Sequence, residues 1–463
     1  MFKRTTLILL GLAVACLLGY FVLDHVQQLR QQAEAERAKL FHLSTDTITR
    51  IEIQQHKDNE PELIVVQRVE EGDSSQWQIT SPIQSKALEF PISSLLNTFS
   101  RLTPEITLEG SLDNPEGLAA FGLDNPNHQI TLIPKEGDPY RLAIGNDNFD
   151  KSGFYARANE GEVVLIAASQ KGSLLPSLLA LRDKTLLSFD AADVGSFQVQ
   201  LAEADPEQFQ IERQGDGWQI VEPRVLPADE VNVNRLLNTL ARLQAMEFTA
   251  ETQTDLASYG LDTPSARLTL RLAEDSDPIT VALGSEKDNQ VYVITSQHPA
   301  VATLLASTAE ILRSDLEDLR DHRLARLNAN QIEEIILESE GEKITLQPLP
   351  SEGETSTIRW ENPDRPGQAQ ELTSIFSTLN AARASEFRPA DDPEVQKALG
   401  DPALRLTFRP KEVGQEPLVL SLAPAGLRAY AQSSYQPDVA VIDLATFNTL
   451  ETEVDQLLTG ANS

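Results

Sequence analysis

The chain contains three tryptophans, Trp77, Trp218 and Trp360, set 141 and 142 residues apart. The text around them is related: Trp77-Gln-Ile-Thr-Ser-Pro82, Trp218-Gln-Ile-Val-Glu-Pro223 and Trp360-Glu-Asn-Pro363. Solenoid repeats have periods of roughly 20–50 residues, so this much longer period marks tandem copies of a whole domain. A unit of this size buries enough apolar surface to fold without disulfides or metals. The 463 residues accommodate three such units.

Each unit opens on a capping residue before a short turn: Ser44, Asp190 and Asn328, with Gln331 placed to complete a capping box with Asn328. A strand follows, beginning at Ile48, Val194 or Ile332, and then a hairpin whose second strand carries the tryptophan. Recurrence of the tryptophan in every unit assigns it to the core rather than to a ligand. Next comes an amphipathic helix with Ile92, Leu95, Leu96, Phe99 and Leu102 on one face, matched by Val233, Leu236, Leu237, Leu240 and Leu243. Its text nearly repeats, Leu95-Leu-Asn-Thr-Phe-Ser-Arg-Leu102 against Leu236-Leu-Asn-Thr-Leu-Ala-Arg-Leu243, and drifts in the third copy at Ile375-Phe-Ser-Thr-Leu-Asn-Ala-Ala382. The turns Phe121-Gly-Leu-Asp-Asn-Pro126 and Tyr259-Gly-Leu-Asp-Thr-Pro264 place glycine at a left-handed helix cap. Alternating strands and a closing helix complete the unit. The expected fold class is α+β, mostly antiparallel strands with two helices per unit. The expected boundaries are 40–183, 184–321 and a divergent third unit at 322–463.

The segment Thr5 to Leu23 carries no charge over nineteen residues. At 1.5 Å per residue it spans about 28 Å, enough for a bilayer core of about 30 Å. Lys3 and Arg4 precede it, so the positive-inside bias puts residues 1–4 in the cytoplasm and everything after Leu23 outside. A cleaved signal would need a small-residue site, where Tyr-Phe-Val-Leu-Asp stands. Ala13-Val-Ala-Cys16 resembles a lipobox, but the apolar run continues for seven residues beyond Cys16. An uncleaved anchor over 5–23 is the favoured reading, in the cytoplasmic (inner) membrane with a periplasmic or other extracytoplasmic body. Residues 24–39 form a polar, helix-favouring stalk.

The formal charge is −32; residues 1–39 contribute +2, leaving −34 on the rest. Such a body repels phosphate backbones, so nucleic acid is not an expected partner. Cys16 is the only cysteine, which leaves none for disulfides, zinc knuckles or thiol catalysis after the apolar segment.

No catalytic, cofactor-binding or metal-ligating set stands out. His25, His42, His56, His128, His298 and His322 form no pair at metal-ligand spacing, and no P-loop, G-x-G-x-x-G or G-x-S-x-G occurs. In Gly145-Asn-Asp-Asn-Phe-Asp-Lys-Ser-Gly153, Asn146, Asn148, Asp150 and Ser152 alternate as in a calcium loop. Lys151 stands where an EF-hand needs glycine, and Arg157 where it needs glutamate, so this reads as a hairpin loop. Leu181-Arg182-Asp183 and Leu319-Arg320-Asp321 end the first two units, and Glu453-Val-Asp-Gln-Leu-Leu458 stands at the end of the third. An Arg-Asp pair present only where another unit follows reads as an ion pair or cap at a joint.

The N-terminal apolar segment, the Trp-x-Ile-x-x-Pro strand, the aromatic-Gly-Leu-Asp-x-Pro turn, the Ile-Gly or Leu-Gly strand end and Leu-Arg-Asp together resemble the bacterial family called domain of unknown function 4340. The resemblance covers residues 1–325 well and 326–458 loosely. It implies an accessory subunit of the kind encoded beside gliding-type ABC transporters, with no established catalytic residues. The expected function is therefore a non-catalytic, single-pass, membrane-anchored scaffold partnered by the membrane and a membrane protein such as an ABC transporter. A binding module for an envelope polymer or peptide is the alternative, with an envelope hydrolase behind it.

Overall fold

Alternation of apolar and polar residues builds the sheets. In Arg50-Ile-Glu-Ile53 the isoleucines are buried, while Arg50 and Glu52 pair at 2.8 Å on the outer face. The computed structural model describes residues 25, 34, 36–57, 60–71, 74–110, 117–215, 217–272, 276–349 and 358–459. The expected membrane span over 5–23 lies outside the described residues, as does most of the stalk over 24–39. Among the described residues no helix is long and apolar enough to cross a membrane.

The first repeat contains nine strands: β1 (Ile48–Lys57), β2 (Glu60–Glu71), β3 (Ser74–Ser81), β4 (Ser85–Lys86), β5 (Ile106–Leu108), β6 (His128–Pro134), β7 (Tyr140–Asp147), β8 (Gly153–Ala158) and β9 (Val163–Ala167). They form one sheet in the order β4-β3-β2-β1-β6-β7-β8-β9-β5, with every pairing antiparallel. Two meanders thus meet at β1 and β6. The second and third repeats form nine-stranded sheets in the same order, starting from Ser196–Leu201 and Ile332–Ser339.

A matching helix lies against each sheet: Glu89–Ser100, Glu230–Ala241 and Thr373–Ala381. Ile92, Leu95, Leu96 and Phe99 of the first join Trp77, Ile79, Ile130 and Leu132 in one core. The equivalent residues of the second join Trp218, Ile220, Leu268 and Leu270. Asp229 caps the second helix, accepting from the amides of Val231 and Asn232, whereas Leu88 and Leu372 make no such bond at the other two. Asp229→Ala is expected to cost about 1 kcal/mol, read as a lowered urea midpoint without a change of slope.

All three tryptophans are core residues, buried as the sequence reading requires. Arg68 lies directly across the hairpin from Trp77, its guanidinium 4.9 Å from the ring centroid, and Arg213 covers Trp218 at 4.4 Å. In the third repeat Pro348 occupies the facing position, and Trp360 stacks on Phe376 instead, with centroids 6.0 Å apart.

Gly122 and Gly260, at φ +70 and +66, adopt the left-handed caps expected of them, whereas Gly400 of the third repeat is right-handed. The glycine closing the Ile-Gly and Leu-Gly strand ends has a separate reason. A Cβ at Gly145 would lie 2.1 Å from the carbonyl oxygen of Phe121, and one at Gly284 would lie 2.2 Å from that of Tyr259. In the third repeat the helix Pro393–Leu399 replaces this turn, and Ala423 follows Leu422.

Two expectations require correction. Two helices per repeat is too few: the closing helix is split into Lys171–Leu174 and Leu178–Leu181 in the first repeat, and into Ala306–Leu312 and Leu316–Leu319 in the second. Only the third repeat closes on one helix, Leu444–Thr459. Among the expected caps, Asp190 and Asn328 accept amide bonds but Ser44 makes none, and no capping box forms at Asn328. The Asn328 side chain accepts from the amide of Asn330 rather than from that of Gln331, so the reciprocal pair is not made. The chain divides into two compact units, residues 1–184 and 185–463, so the second and third repeats share one unit.

Candidate functional site

The residues that join the second and third repeats form a cluster of buried ion pairs and hydrogen bonds. The connecting segment after Leu316–Leu319 runs extended. The amide of Asp229 donates to Leu319 O at 2.8 Å and that of Asp321 to Pro227 O at 2.9 Å, tying the segment to the second repeat. The Ala384 amide then donates to His322 O at 2.8 Å, and Arg323 bridges Arg383, tying it to the third. In extended backbone, successive side chains point to opposite sides. Arg320 and Asp321 therefore do not pair with each other, and each reaches a different set of partners.

Arg320 is 1% exposed. Its guanidinium carbon lies 3.3 Å from the centroid of the Phe387 ring, and Nη2 donates to Asp438 Oδ2 at 2.8 Å. Arg224 grips the same carboxylate with both terminal nitrogens, Nη1 reaching Oδ1 at 2.6 Å. Burial pushes the Asp438 carboxyl up, but the bond from Arg224 and the charges of Arg320 and Arg224 outweigh it and hold the group below its ordinary value.

Asp321 is fully buried. It accepts from the Arg323 amide at 3.0 Å, from Arg323 Nε at 2.9 Å, from Arg326 Nη2 at 2.9 Å and from the Tyr435 hydroxyl at 2.8 Å. Burial again acts upward, and these donors overcome it, bringing the carboxyl down to about 2. Burial and the adjacent Asp321 charge push the Tyr435 phenol up, so it remains a neutral donor. Arg326 also pairs with Glu230, and Gln436 Nε2 donates to the Asp321 carbonyl.

In the first repeat the same backbone ladder recurs within the unit: Arg182 bridges Ala87, the Asp183 amide donates to Lys86 O at 3.0 Å and that of Leu88 to Leu181 O at 2.8 Å. A second repeated contact fixes the start of the later repeats. Thr295 Oγ1 donates to Leu186 O at 2.9 Å, and Ser433 Oγ to Leu324 O at 2.6 Å.

The other sequence candidates lie elsewhere. Asn148 Oδ1 accepts from the Gly153 amide at 3.0 Å and Asp150 Oδ1 from the Ser152 amide at 2.9 Å, so the oxygens of the 145–153 segment hold its own hairpin turn. His56 Nδ1 donates to Asn127 O at 3.1 Å, and the two ring nitrogens of His322 face the carbonyl oxygens of Ala384 and Glu317. Burial first, then the charge of Lys171, lowers the pKa of His128. Among the described residues no group of three His, Cys, Asp or Glu side chains could hold a metal ion.

A family model described as "Domain of unknown function (DUF4340)" matches residues 77–219 and 218–398. The chain belongs to this family. The two DUF4340 matches meet at Trp218, so the model repeats with the tryptophan period. No curated protein matches the chain. Among solved structures, "Structure of Bacillus subtilis Inhibitor of motility (MotI/DgrA)" is similar at 12% identity, covering 57% of this chain and 92% of that one with a TM-score of 0.11, which carries no argument.

Proposed function

We propose that the chain is a non-catalytic, membrane-anchored extracytoplasmic scaffold, with residues 5–23 as its single span and an ABC transporter as its partner. The observation that carries the scaffold reading is the seam. Arg224, Arg320, Arg323, Arg326, Asp321 and Asp438 are all engaged with one another or with Phe387, Tyr435 and Glu230. These ionisable groups fix the pose of two repeats and leave no charged group of the cluster free for chemistry. Beside them lie two open clefts of about 530 and 480 Å³, one walled by Phe387 and Arg388, the other by Trp218 and Pro437. Rigidly held grooves of this kind suit docking of a partner segment. The charge-free run over 5–23 supports the membrane part of the reading.

Cross-linking of intact membranes followed by pull-down of the full-length chain tests it. Recovery of the membrane and ATPase subunits of a transporter is expected, with loss of both when residues 1–39 are exchanged for an unrelated anchor. Recovery of the chain with no membrane protein overturns the reading.

A further inference from the structure

The most literal repetition in the chain lies partly outside the core. In the matched helices the leucines, Phe99 and Leu240 are buried, which accounts for their recurrence. Packing does not account for Asn97 and Asn238, Thr98 and Thr239, or Arg101 and Arg242, which share one outer face and the same exposure pattern in both repeats. Helix propensity does not account for the asparagines and threonines either, because Asn and Thr are poor choices for an exposed helical position. Asn238 and Thr239 bond back to the carbonyls of Asn234 and Arg235, at 2.7 and 2.8 Å, as such residues do in helices.

In the second repeat this face borders a cleft of about 450 Å³, lined by Arg235, Asn238, Thr239, Arg242, Leu243, Gln244 and Thr308. No carboxylate lines it, in a chain with 70 acidic residues. Arg235 and Arg242 stand seven positions apart, about 10.5 Å along the axis and on one face. Among the described residues neither guanidinium has an ion-pair partner, unlike the arginines of the seam. The helix dipole favours a cation at Arg242, the C-cap, but gives no reason for Arg235 in mid-helix.

We propose that this cleft binds a phosphate-type oxyanion. The two guanidinium forks match its oxygens, and two full charges outweigh the partial negative charge of the helix end. The amides of Gln244 and Asn238 and the Thr308 hydroxyl add more donors than the two oxygens of a carboxylate would use. The first repeat keeps Asn97, Thr98 and Arg101 but has Ser94 in place of Arg235, so it binds more weakly. The third has Ala381 in place of the shared arginine and does not bind.

The test is calorimetric titration of the full-length chain in neutral detergent with pyrophosphate. A short-chain phosphatidic acid, set against short-chain phosphatidylcholine, forms a second arm. Saturable binding is expected, weakened at least about ten-fold in the Arg235→Gln/Arg242→Gln variant. It should be nearly unchanged in the charge-matched control Arg271→Gln/Arg405→Gln, two exposed arginines on other strands. Binding of phosphatidic acid alone assigns a lipid headgroup as the source, and binding of pyrophosphate assigns the phosphate group itself. Absence of saturable binding in both arms, or equal weakening in the control, overturns the proposal. Neither outcome depends on the transporter partnership.

Discussion

Asp438→Ala is expected to destabilise the unit 185–463 by about 3–5 kcal/mol, because it leaves a buried arginine without its counter-ion. Arg320 is 1% exposed and held between the Phe387 ring and the Asp438 carboxylate. With the carboxylate gone, the remaining anionic contact is Glu317, a long one at 3.4 Å to a half-exposed side chain. The opposite truncation should be mild. Arg224 is 53% exposed, so Arg224→Ala returns its share of Asp438 to water and costs at most about 1 kcal/mol. Replacing both buried partners by apolar residues, Arg320→Met with Asp438→Leu, should recover most of the loss, since desolvation of two charges offsets much of a buried pair's attraction. Urea denaturation of the full chain gives the stabilities, and hydrogen exchange at the amides of Asp321 and Ala384 gives the local opening. If Arg224→Ala proved as damaging as Asp438→Ala, Arg320 would not be the residue that makes the seam costly to break.

The repeats were legible because their cause is local and periodic. Alternation in Arg50-Ile-Glu-Ile53 and the 3.6-residue spacing from Ile92 to Phe99 each state which face is buried, and the structure follows them. The turn glycines were equally legible, because Gly122 and Gly260 sit where a left-handed cap excludes side chains. The short edge strands were not, since Ser85–Lys86 and Ile106–Leu108 are too brief to carry an alternating pattern. The seam was half legible. Leu319-Arg-Asp321 stood out by its place at a unit boundary, but Asp438 lies 118 positions beyond Arg320 and 214 beyond Arg224. Nothing periodic marks it, and the matching position of the second repeat is Ala300. Arg320 and Asp321 are not bonded to each other for a stereochemical reason: neighbours in extended backbone face opposite ways, so each takes its own ion-pair partners.

Asp321 makes the seam sensitive to acid. Its carboxyl titrates at about 2 in the folded chain, against 3.8 for an ordinary aspartate. A carboxyl whose folded pKa is depressed adds stability above its unfolded pKa, and that stability is lost as pH falls through the folded value. The size is roughly 2–3 kcal/mol at neutral pH, and the group is fully buried, so solvent does not screen it away. The contribution should be intact at pH 6, decline below about pH 4 and be nearly gone at pH 2. Asp321→Asn removes the titration while keeping the shape. Its amide nitrogen also faces the donors Arg323, Arg326 and Tyr435, so the variant should be less stable than the native chain by about 2–4 kcal/mol at pH 6. The other carboxylates titrate in both chains and cancel in the difference. Urea midpoints of the two chains measured from pH 6 down to pH 2 should therefore converge. A gap that stayed constant over this range would mean that the charge of Asp321 contributes nothing to the joint, and that the variant loses stability only through the amide nitrogen it turns toward the donors.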